Sequence, residues 1–224
     1  MTPCTVLIID DEETGLRVRK LVLESEGFRV LTARNGMEAL EIFPKQAIDA
    51  VVTDHIMPGI EGVEVAKEIK RLKPDLPVIM LSALPTKPPG AAEVVDSFVI
   101  KGQAPGVLLD KLSSLLKTRP HAHEDFDGEY VAFVDQDRKY LEVTDGICAL
   151  LGYSRSALLG MRIDDVAAPV EAGKVAPLFE RYVDERRQDG TFLLKDSRGG
   201  LIPIRYHARV FPDGCMVARW EPQV

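Results

Sequence analysis

The chain has 224 residues, of which 46% are hydrophobic, and this length and composition favour two packed domains. The formal net charge of −7 argues against a nucleic-acid partner, because phosphate contacts need clustered lysine and arginine. No apolar stretch reaches the roughly 20 residues that span a bilayer. The N-terminus runs almost directly into the first apolar run, so we expect no signal peptide. The three cysteines are far apart in sequence and show no metal-ligand spacing. We therefore expect a cytoplasmic protein that binds neither nucleic acid nor membrane.

Short and almost wholly apolar runs in the N-terminal half predict strands buried on both faces, as in a parallel sheet between helix layers. These runs are T-V-L-I-I-D-D (5–11), A-V-V-T-D (50–54), V-I-M-L-S (78–82) and S-F-V-I-K (97–101). Helical stretches alternate with them at about 13–26, 36–43, 61–71 and 105–117. The alternation predicts a doubly wound α/β domain.

Polar side chains stand at or just past the ends of the four runs. They are Asp10, Asp11, Asp54, Ser82 and Lys101. Because ligands of parallel sheets collect beyond the carboxyl ends of the strands, we expect these side chains to share one pocket. Three carboxylates would repel one another without a cation, and an all-oxygen site suits Mg²⁺. The pattern predicts that Asp54 attacks a phosphoryl group, while Lys101 and Ser82 contact its oxygens.

Residues 1–118 resemble a response-regulator receiver domain of two-component signalling. The resembling segments are I-I-D-D-E-E, D-H-I-M-P-G-I-E-G, the S-A that follows the fourth strand and V-I-K at the fifth. The resemblance implies a flavodoxin-like fold with a five-stranded parallel sheet, and a histidine kinase that phosphorylates Asp54. It also implies that Asp10, Asp11, Asp54 and the main-chain carbonyl of His55 hold Mg²⁺.

Two further side chains near this pocket are interpreted through the same resemblance. The imidazole of His55 is expected to face solvent from its loop, so that His55 contributes only its backbone. Phe98, three residues before Lys101, has the position of the aromatic that moves when receivers switch, together with Ser82. A plain core phenylalanine is the alternative interpretation of Phe98.

The chain departs from the receiver pattern after the fourth strand. Pro85, Pro88, Pro89 and Gly90 follow Ser82 closely, and proline cannot sit in a helix interior without losing a hydrogen bond. We predict that the fourth helix is short, late or missing, with helical residues only at about 91–95. In the family this helix belongs to the signalling surface, so the usual receiver dimer is in doubt.

Two other departures concern the pocket itself. Gly102 follows Lys101 where receivers usually have proline, and glycine leaves the backbone freer, so Lys101 could be held more loosely. Ile56 and Leu84 occupy the positions two past Asp54 and two past Ser82. Polar side chains there help to orient the water that hydrolyses phosphoaspartate in the family. Two apolar side chains predict a phosphorylated state that lasts minutes or more.

A polar segment, K-T-R-P-H-A-H-E-D-F-D-G (117–128), marks the domain boundary. We predict a receiver domain at 1–118, a linker at 119–128 and a second domain at 129–224. The second domain is predicted to contain strands at 130–135, 140–145, 191–196, 201–211 and 215–220, with helices at about 145–151, 154–160 and 175–187. Asp145 and Ser154 are the candidate helix caps. This order predicts an α+β fold with an antiparallel sheet.

The segment F-V-D-Q-D-R-K-Y-L-E-V-T-D-G-I-C-A-L-L-G-Y-S-R-S-A-L-L-G-M-R-I resembles the PAS sensor domain. PAS domains hold haem, flavin or small metabolites, or pair with proteins, and the residues do not say which applies. Cys148 is interpreted as a small core residue and His207 as a solvated one, so no coloured cofactor is expected. A small ligand in the PAS cavity stays open.

The combination predicts a response regulator without a DNA-binding output, whose PAS domain signals by dimerising or by docking a partner. A homodimer could form through either domain. Two alternatives stay open: a phosphorelay intermediate that passes the phosphoryl group on, and a PAS-based sensor of a small ligand. A Mg²⁺-dependent phosphohydrolase is disfavoured, because such enzymes show a second aspartate two residues after the first, where this chain has Ile56. We therefore do not expect a turnover enzyme.

Overall fold

The computed structural model describes residues 3–117 and 126–223, apart from the side chains of residues 182–184. The chain divides into two compact units, one within residues 1–122 and the other within residues 123–224. Residues 119–125 of the predicted linker lie outside the described residues, so the bounds of the linker stay a prediction. In the part of the chain that the structure describes, no helix is long and apolar enough to cross a membrane.

The first unit is a five-stranded parallel sheet with helices between the strands, which confirms the predicted fold class. Its strands are β1 (Thr5–Ile9), β2 (Arg29–Ala33), β3 (Ala50–Asp54), β4 (Val78–Ser82) and β5 (Ser97–Ile100). Its helices are α1 (Glu13–Ser25), α2 (Gly36–Ile42), α3 (Gly62–Leu72) and α4 (Pro105–Leu116), and a 3₁₀ turn at Phe43–Lys45 extends α2. The sheet order is β2-β1-β3-β4-β5, and every pair is parallel.

Burial explains which sequence runs became the central strands. Every residue of β1, β3 and β4 is buried, as expected for strands covered by helices on both faces. β2 and β5 form the two edges of the sheet, and each contains partly exposed positions. Asp10 and the ends of β3 and β4 are buried as well.

The segment between β4 and β5 forms no helix, which confirms the prediction from its prolines. The N–H of Val95 donates to the carbonyl of Ala91 at 2.9 Å, which closes a single helical turn. Pro88 is buried, and its carbonyl accepts a hydrogen bond from the N–H of Ala91 at 3.2 Å. Proline spacing in this loop leaves no room for a second turn.

The second unit is an α+β domain built on a five-stranded antiparallel sheet, again as predicted. Its strands are β6 (Val131–Val134), β7 (Tyr140–Val143), β8 (Arg187–Lys195), β9 (Leu201–Val210) and β10 (Met216–Pro222), in the order β7-β6-β10-β9-β8. Its helices are α5 (Asp145–Leu151), α6 (Arg155–Leu158), α7 (Ile163–Val166) and α8 (Val175–Glu185), with a 3₁₀ turn at Ala172–Lys174. The helices lie between β7 and β8 in the chain.

Details of the second unit correct two sequence predictions. Thr144, and not Asp145, is the N-cap residue of α5; its hydroxyl donates to the carbonyl of Glu129 at 2.6 Å and accepts from the N–H of Val131 at 3.0 Å. Asp145 is the first helical residue, where its charge suits the positive end of the helix. β8 begins at Arg187, four residues before the predicted start, because the end of α8 passes directly into the strand.

Candidate functional site

The candidate site lies at the carboxyl edge of the parallel sheet, where four strands end. Asp10 follows β1, Asp54 and Ser82 are the last residues of β3 and β4, and Lys101 follows β5. The backbone continues the sheet pairing past these ends, since the N–H of Lys101 donates to the carbonyl of Ser82 at 2.7 Å. The N–H of His55 likewise donates to the carbonyl of Leu81 at 2.8 Å. The sheet thus fixes the side chains that the sequence predicted to meet.

Three carboxylates converge at this edge. Asp10, Asp11 and Asp54 each offer an oxygen, and these oxygens lie within 4.8 Å of one another. Asp10 is fully buried and Asp54 nearly so, whereas Asp11 is exposed and lines the mouth of the pocket. Hard carboxylate oxygens at this spacing, reachable from solvent, fit the preference of Mg²⁺ for a few carboxylates and several waters. The acidic triad is therefore of the kind that holds Mg²⁺.

Lys101 is the cation that bridges two of these acids. Its Nζ lies 2.8 Å from Oδ2 of Asp54 and 3.2 Å from Oδ2 of Asp10. Burial raises the pKa of the Asp54 carboxyl above its ordinary value, while the hydrogen bond and charge of Lys101 lower it. The neighbouring charge of Asp10 raises this pKa further, and the N–H of His55, 2.8 Å from Oδ1, lowers it. The balance leaves the pKa of Asp54 raised.

Ser82 and His55 lie in contact beside the acids. Ser82 is buried, and its Oγ lies 3.4 Å from Nδ1 of His55 and accepts from the N–H of Leu84 at 3.1 Å. The His55 side chain is half-buried, with its ring against this hydroxyl, so it faces solvent only in part. The ring lies beside the end of β4, and the N–H of His55 is bonded to β4 as well. The main-chain carbonyl of His55 accepts from the N–H of Gly62 at 3.0 Å, and its role as a Mg²⁺ ligand stays a prediction.

Gly62 brings the start of α3 directly against the acceptor strand. A Cβ at this position would collide with the carbonyl oxygen of Asp54 and would lie 3.1 Å from Oγ1 of Thr53. The glycine that closes the D-H-I-M-P-G-I-E-G segment is thus required by the close approach of two backbones. This contact holds the loop after Asp54 in place.

Arg19 is a fifth charged group of the pocket, and the sequence reasoning missed it. Its Nη2 donates to Oδ2 of Asp10 at 2.9 Å, and the side chain is only 13% exposed. Helical spacing could have found it, because Arg19 falls four residues after Gly15 and three before Val22, both on the buried face of α1. The pocket therefore contains three carboxylates and two cations.

Four more residues were singled out from the sequence near this site. Ile56 and Leu84 are 62% and 50% exposed, which is unusual for large apolar side chains. Phe98 is half-buried and packs against the hydrophobic core of the first unit. Gly102 has φ of +98°, a backbone conformation that L side chains rarely adopt, so glycine fits after Lys101 for a conformational reason.

Comparison with known proteins assigns the first unit. Residues 6–112 match the response regulator receiver domain family. The chain is 37% identical over 115 residues to the probable transcriptional regulator ycf27 of Cyanidium caldarium, covering 50% of this chain and 46% of the relative. It is 30% identical over 149 residues to the response regulator MprA of Mycobacterium sp. (strain KMS), covering 64% of each chain. The chain spans about half the length of several of the curated relatives it matches.

Solved structures similar to this chain cover the same half. One is the crystal structure of response regulator protein TrrA from Thermotoga maritima in complex with Mg²⁺-BeF, at 35% identity and a TM-score of 0.48. Another is a response regulator from Chloroflexus aurantiacus, at 32% identity and a TM-score of 0.49. They cover 50% and 51% of this chain, and 98% of each solved chain is matched. The family match identifies residues 6–112 of this chain as a response regulator receiver domain.

Proposed function

We propose that the chain is a phosphorylatable response regulator in which a sensor histidine kinase transfers a phosphoryl group to Asp54. The observation that carries this proposal is the grouping of Asp10, Asp11, Asp54 and Lys101 at one edge of the receiver sheet, with Lys101 Nζ 2.8 Å from the Asp54 carboxylate. A nucleophilic carboxylate with a cation beside it suits phosphoryl transfer, which depends on positioning and charge stabilisation.

The transfer would convert a phosphohistidine of the kinase into a phosphoaspartate. An oxygen of the ionised Asp54 attacks phosphorus, the O–P bond forms as the N–P bond breaks, and the electron pair stays on the imidazole nitrogen, which takes a proton from solvent. The N–H of His55 donates to Oδ1 of Asp54 at 2.8 Å and so helps to fix which oxygen attacks. Lys101 is placed to pair with an oxygen of the phosphoryl group, and Ser82 offers a hydroxyl donor to another.

Asp10 and Asp11, with Asp54 and the His55 carbonyl, are the residues we assign to Mg²⁺. The bound cation would neutralise part of the charge of the incoming phosphoryl group. Asp11 is exposed, so it is the carboxylate that reaches a hydrated cation from the mouth of the pocket. Asp10 is fully buried and defines the floor of the site.

We assign the second unit to a PAS domain that conveys the signal without binding DNA. Support comes from the β6–β7 hairpin, which precedes the L-L-G-Y-S-R-S-A-L-L-G segment in the order that the PAS resemblance implies. Ser154 caps α6 within that segment by accepting from the N–H of Ala157 at 3.2 Å. Output would then proceed by self-association or by docking a partner, with Ser82 and Phe98 as the switch residues of the receiver.

Sedimentation velocity with Mg²⁺, with and without beryllium fluoride as a phosphoryl mimic, tests this output. A shift in the wild type that Asp54→Asn abolishes would support self-association controlled by phosphorylation. If the mimic binds, as shown by fluorine NMR, and the sedimentation coefficient does not change, output by self-association is contradicted. That result would favour output through a separate partner protein or a role as a phosphorelay intermediate.

A ligand-sensing role for the second unit is the alternative for which the structure offers an observation. An apolar cavity of about 60 Å³ lies between α8 and the sheet, with Phe179, Phe192 and Trp220 in its wall. Binding sites for small organic molecules usually enclose about 300–1,000 Å³, so the cavity would have to expand to take one. Phosphoryl signalling therefore remains the function that the geometry supports best.

A further inference from the structure

Arg19 is a cation of the acidic pocket that the proposed phosphoryl chemistry does not use. Its Nη2 donates to Oδ2 of Asp10 at 2.9 Å, and Nζ of Lys101 lies 3.2 Å from the same oxygen. The other oxygen of Asp10, Oδ1, accepts from the N–H of Glu12 at 2.9 Å. Both oxygens of this fully buried carboxylate are thus already engaged by groups of the chain itself.

Gly15 makes room for the Arg19 side chain. Side chains of a helix lean toward its N-terminus, so Arg19 runs back along α1 over the position one turn earlier. A Cβ at position 15 would collide with Nη1 of Arg19. Glycine inside a helix makes the helix less stable than alanine does. The space that the guanidinium needs explains why glycine is nevertheless found at position 15.

Asp10 is the main hydrogen-bond partner near the guanidinium of Arg19. Nη1 is buried without a hydrogen-bond partner among the described residues. The buried residues on this face of α1 are small or apolar: Gly15, Leu16, Val18, Val22 and Leu23. A buried cation with an unpaired donor is unfavourable by itself, so its ion pair with Asp10 is what holds it there.

We propose that Arg19 is the resident counter-ion of the metal-free pocket and competes with Mg²⁺ for Asp10. The inference rests on the proposed Mg²⁺ site. A divalent cation that uses Asp10 must approach two monovalent cations aimed at the same oxygen, and like charges a few ångströms apart repel strongly when partly buried. Arg19 therefore stabilises the metal-free fold and lowers the affinity for Mg²⁺. The negative charge of a bound phosphoryl group offsets this repulsion. Mg²⁺ should therefore bind most tightly when the phosphoryl group is bound as well.

Calorimetric titration of MgCl₂ into the full chain, in phosphate-free buffer, tests the competition. Arg19→Met keeps most of the length of the side chain and removes its charge, and it should tighten Mg²⁺ binding by about tenfold or more, because one positive charge leaves the site. Lys20→Met is the matched control, since it removes the same charge from the exposed side of α1. Its Mg²⁺ affinity should stay within about twofold of wild type, because an exposed charge is screened by solvent and salt.

Gly15→Ala provides a second variant that keeps the arginine but displaces it. The atom in the way is the flexible end of Arg19, so the helix can accept alanine while the guanidinium leaves Asp10. Gly15→Ala should therefore also tighten Mg²⁺ binding, and it should add nothing to Arg19→Met in the double variant. Such non-additivity is expected only if the two residues act through one contact.

Thermal unfolding, first with a chelator and then with Mg²⁺, gives a readout that is independent of the calorimetric titration. Arg19→Met should lower the unfolding midpoint of the receiver domain without metal, and saturating Mg²⁺ should recover most of the loss. The proposed competition would be overturned if the wild type binds Mg²⁺ and Arg19→Met binds it equally well or more weakly. If the wild type binds no Mg²⁺ at all, the proposed metal site itself fails, and the inference fails with it.

Discussion

Lys101 Nζ lies 2.8 Å from Oδ2 of Asp54, although 47 residues separate them in the chain. The same ammonium group is 3.2 Å from Oδ2 of Asp10. One lysine at the end of an edge strand therefore balances two buried carboxylates that come from two inner strands. The charge state of the pocket depends on this lysine, and several measurable consequences follow from it.

Removal of the Lys101 charge should weaken the binding of a phosphoryl mimic. Lys101→Met deprives both Asp54 and the mimic of a cation at hydrogen-bond distance. In partly buried surroundings such a charge pair is worth about 4 kcal/mol at 4 Å, so a loss of at least about tenfold in beryllium fluoride affinity is a conservative expectation. Fluorine NMR of the bound mimic measures it. Lys67→Met, on the exposed surface of α3, should bind the mimic like wild type, and equal binding by both variants would remove Lys101 from the site.

Asp54→Asn should stabilise the metal-free protein at neutral pH. The pKa of Asp54 is raised in the folded state, so the folded protein holds the proton more tightly than the unfolded chain does. By linkage, ionisation of this carboxylate lowers the free energy of unfolding, and each tenfold difference in proton affinity between the two states corresponds to about 1.4 kcal/mol. The penalty is complete above the folded pKa and disappears as the pH falls below the ordinary value of 3.8.

Thermal unfolding in a chelator, measured from neutral to acidic pH, checks this sign. The midpoint of Asp54→Asn should exceed that of wild type at neutral pH, and the difference should shrink as the pH falls. Asp75→Asn replaces an exposed carboxylate of the same unit and should show no such pH-dependent gain. A destabilised Asp54→Asn at neutral pH would mean that the ion pair with Lys101 outweighs burial.

Gly62→Ala should destabilise the receiver domain and disturb the pocket. The added Cβ meets the carbonyl oxygen of Asp54, which is backbone and cannot rotate away. Forcing extra atoms into a packed site costs about 1–3 kcal/mol, which lowers the unfolding midpoint in urea. Gly173→Ala, where a Cβ meets nothing within 4 Å, is the matched control and should change stability by less than about 0.5 kcal/mol. Equal effects of the two changes would contradict the close approach.

Ile56 and Leu84 should prolong the phosphorylated state. Both are exposed and apolar, and neither can hold a water for attack on phosphoaspartate. An acid-quenched decay series of the phosphorylated wild type should give a lifetime of minutes or more. Ile56→Glu with Leu84→Gln should shorten it severalfold, because polar groups then face the water. Loss of the phosphoryl group from wild type within seconds would contradict this explanation.

Much of this fold could be predicted from the hydrophobic pattern of the sequence and from the residues at the strand ends. Four apolar runs predicted the strands β1, β3, β4 and β5, because buried parallel strands are almost wholly apolar. The run that forms β2 was not singled out, since Arg29 and Thr32 interrupt its apolar pattern at the sheet edge. The convergence of Asp10, Asp54, Ser82 and Lys101 followed from one rule, that parallel strands end at a common edge.

Side-chain directions could not be predicted in the same way. The imidazole of His55 turns toward Ser82 because the local loop path decides its orientation, and no sequence period encodes that path. Helical spacing places Arg19 on the buried face of α1, but it does not say which group pairs with the guanidinium there. Its ion pair with Asp10 depends on the three-dimensional distance between α1 and the end of β1.

Intact-protein mass spectrometry after incubation with Mg²⁺ and phosphoramidate tests the central claim most directly. Phosphoramidate is a small phosphoryl donor, so no partner kinase has to be identified. Wild type should gain the mass of one phosphoryl group, omission of Mg²⁺ should suppress the gain, and Asp54→Asn should gain none. Incorporation of one phosphoryl group by Asp54→Asn at the wild-type level would contradict the assignment of Asp54 as the acceptor.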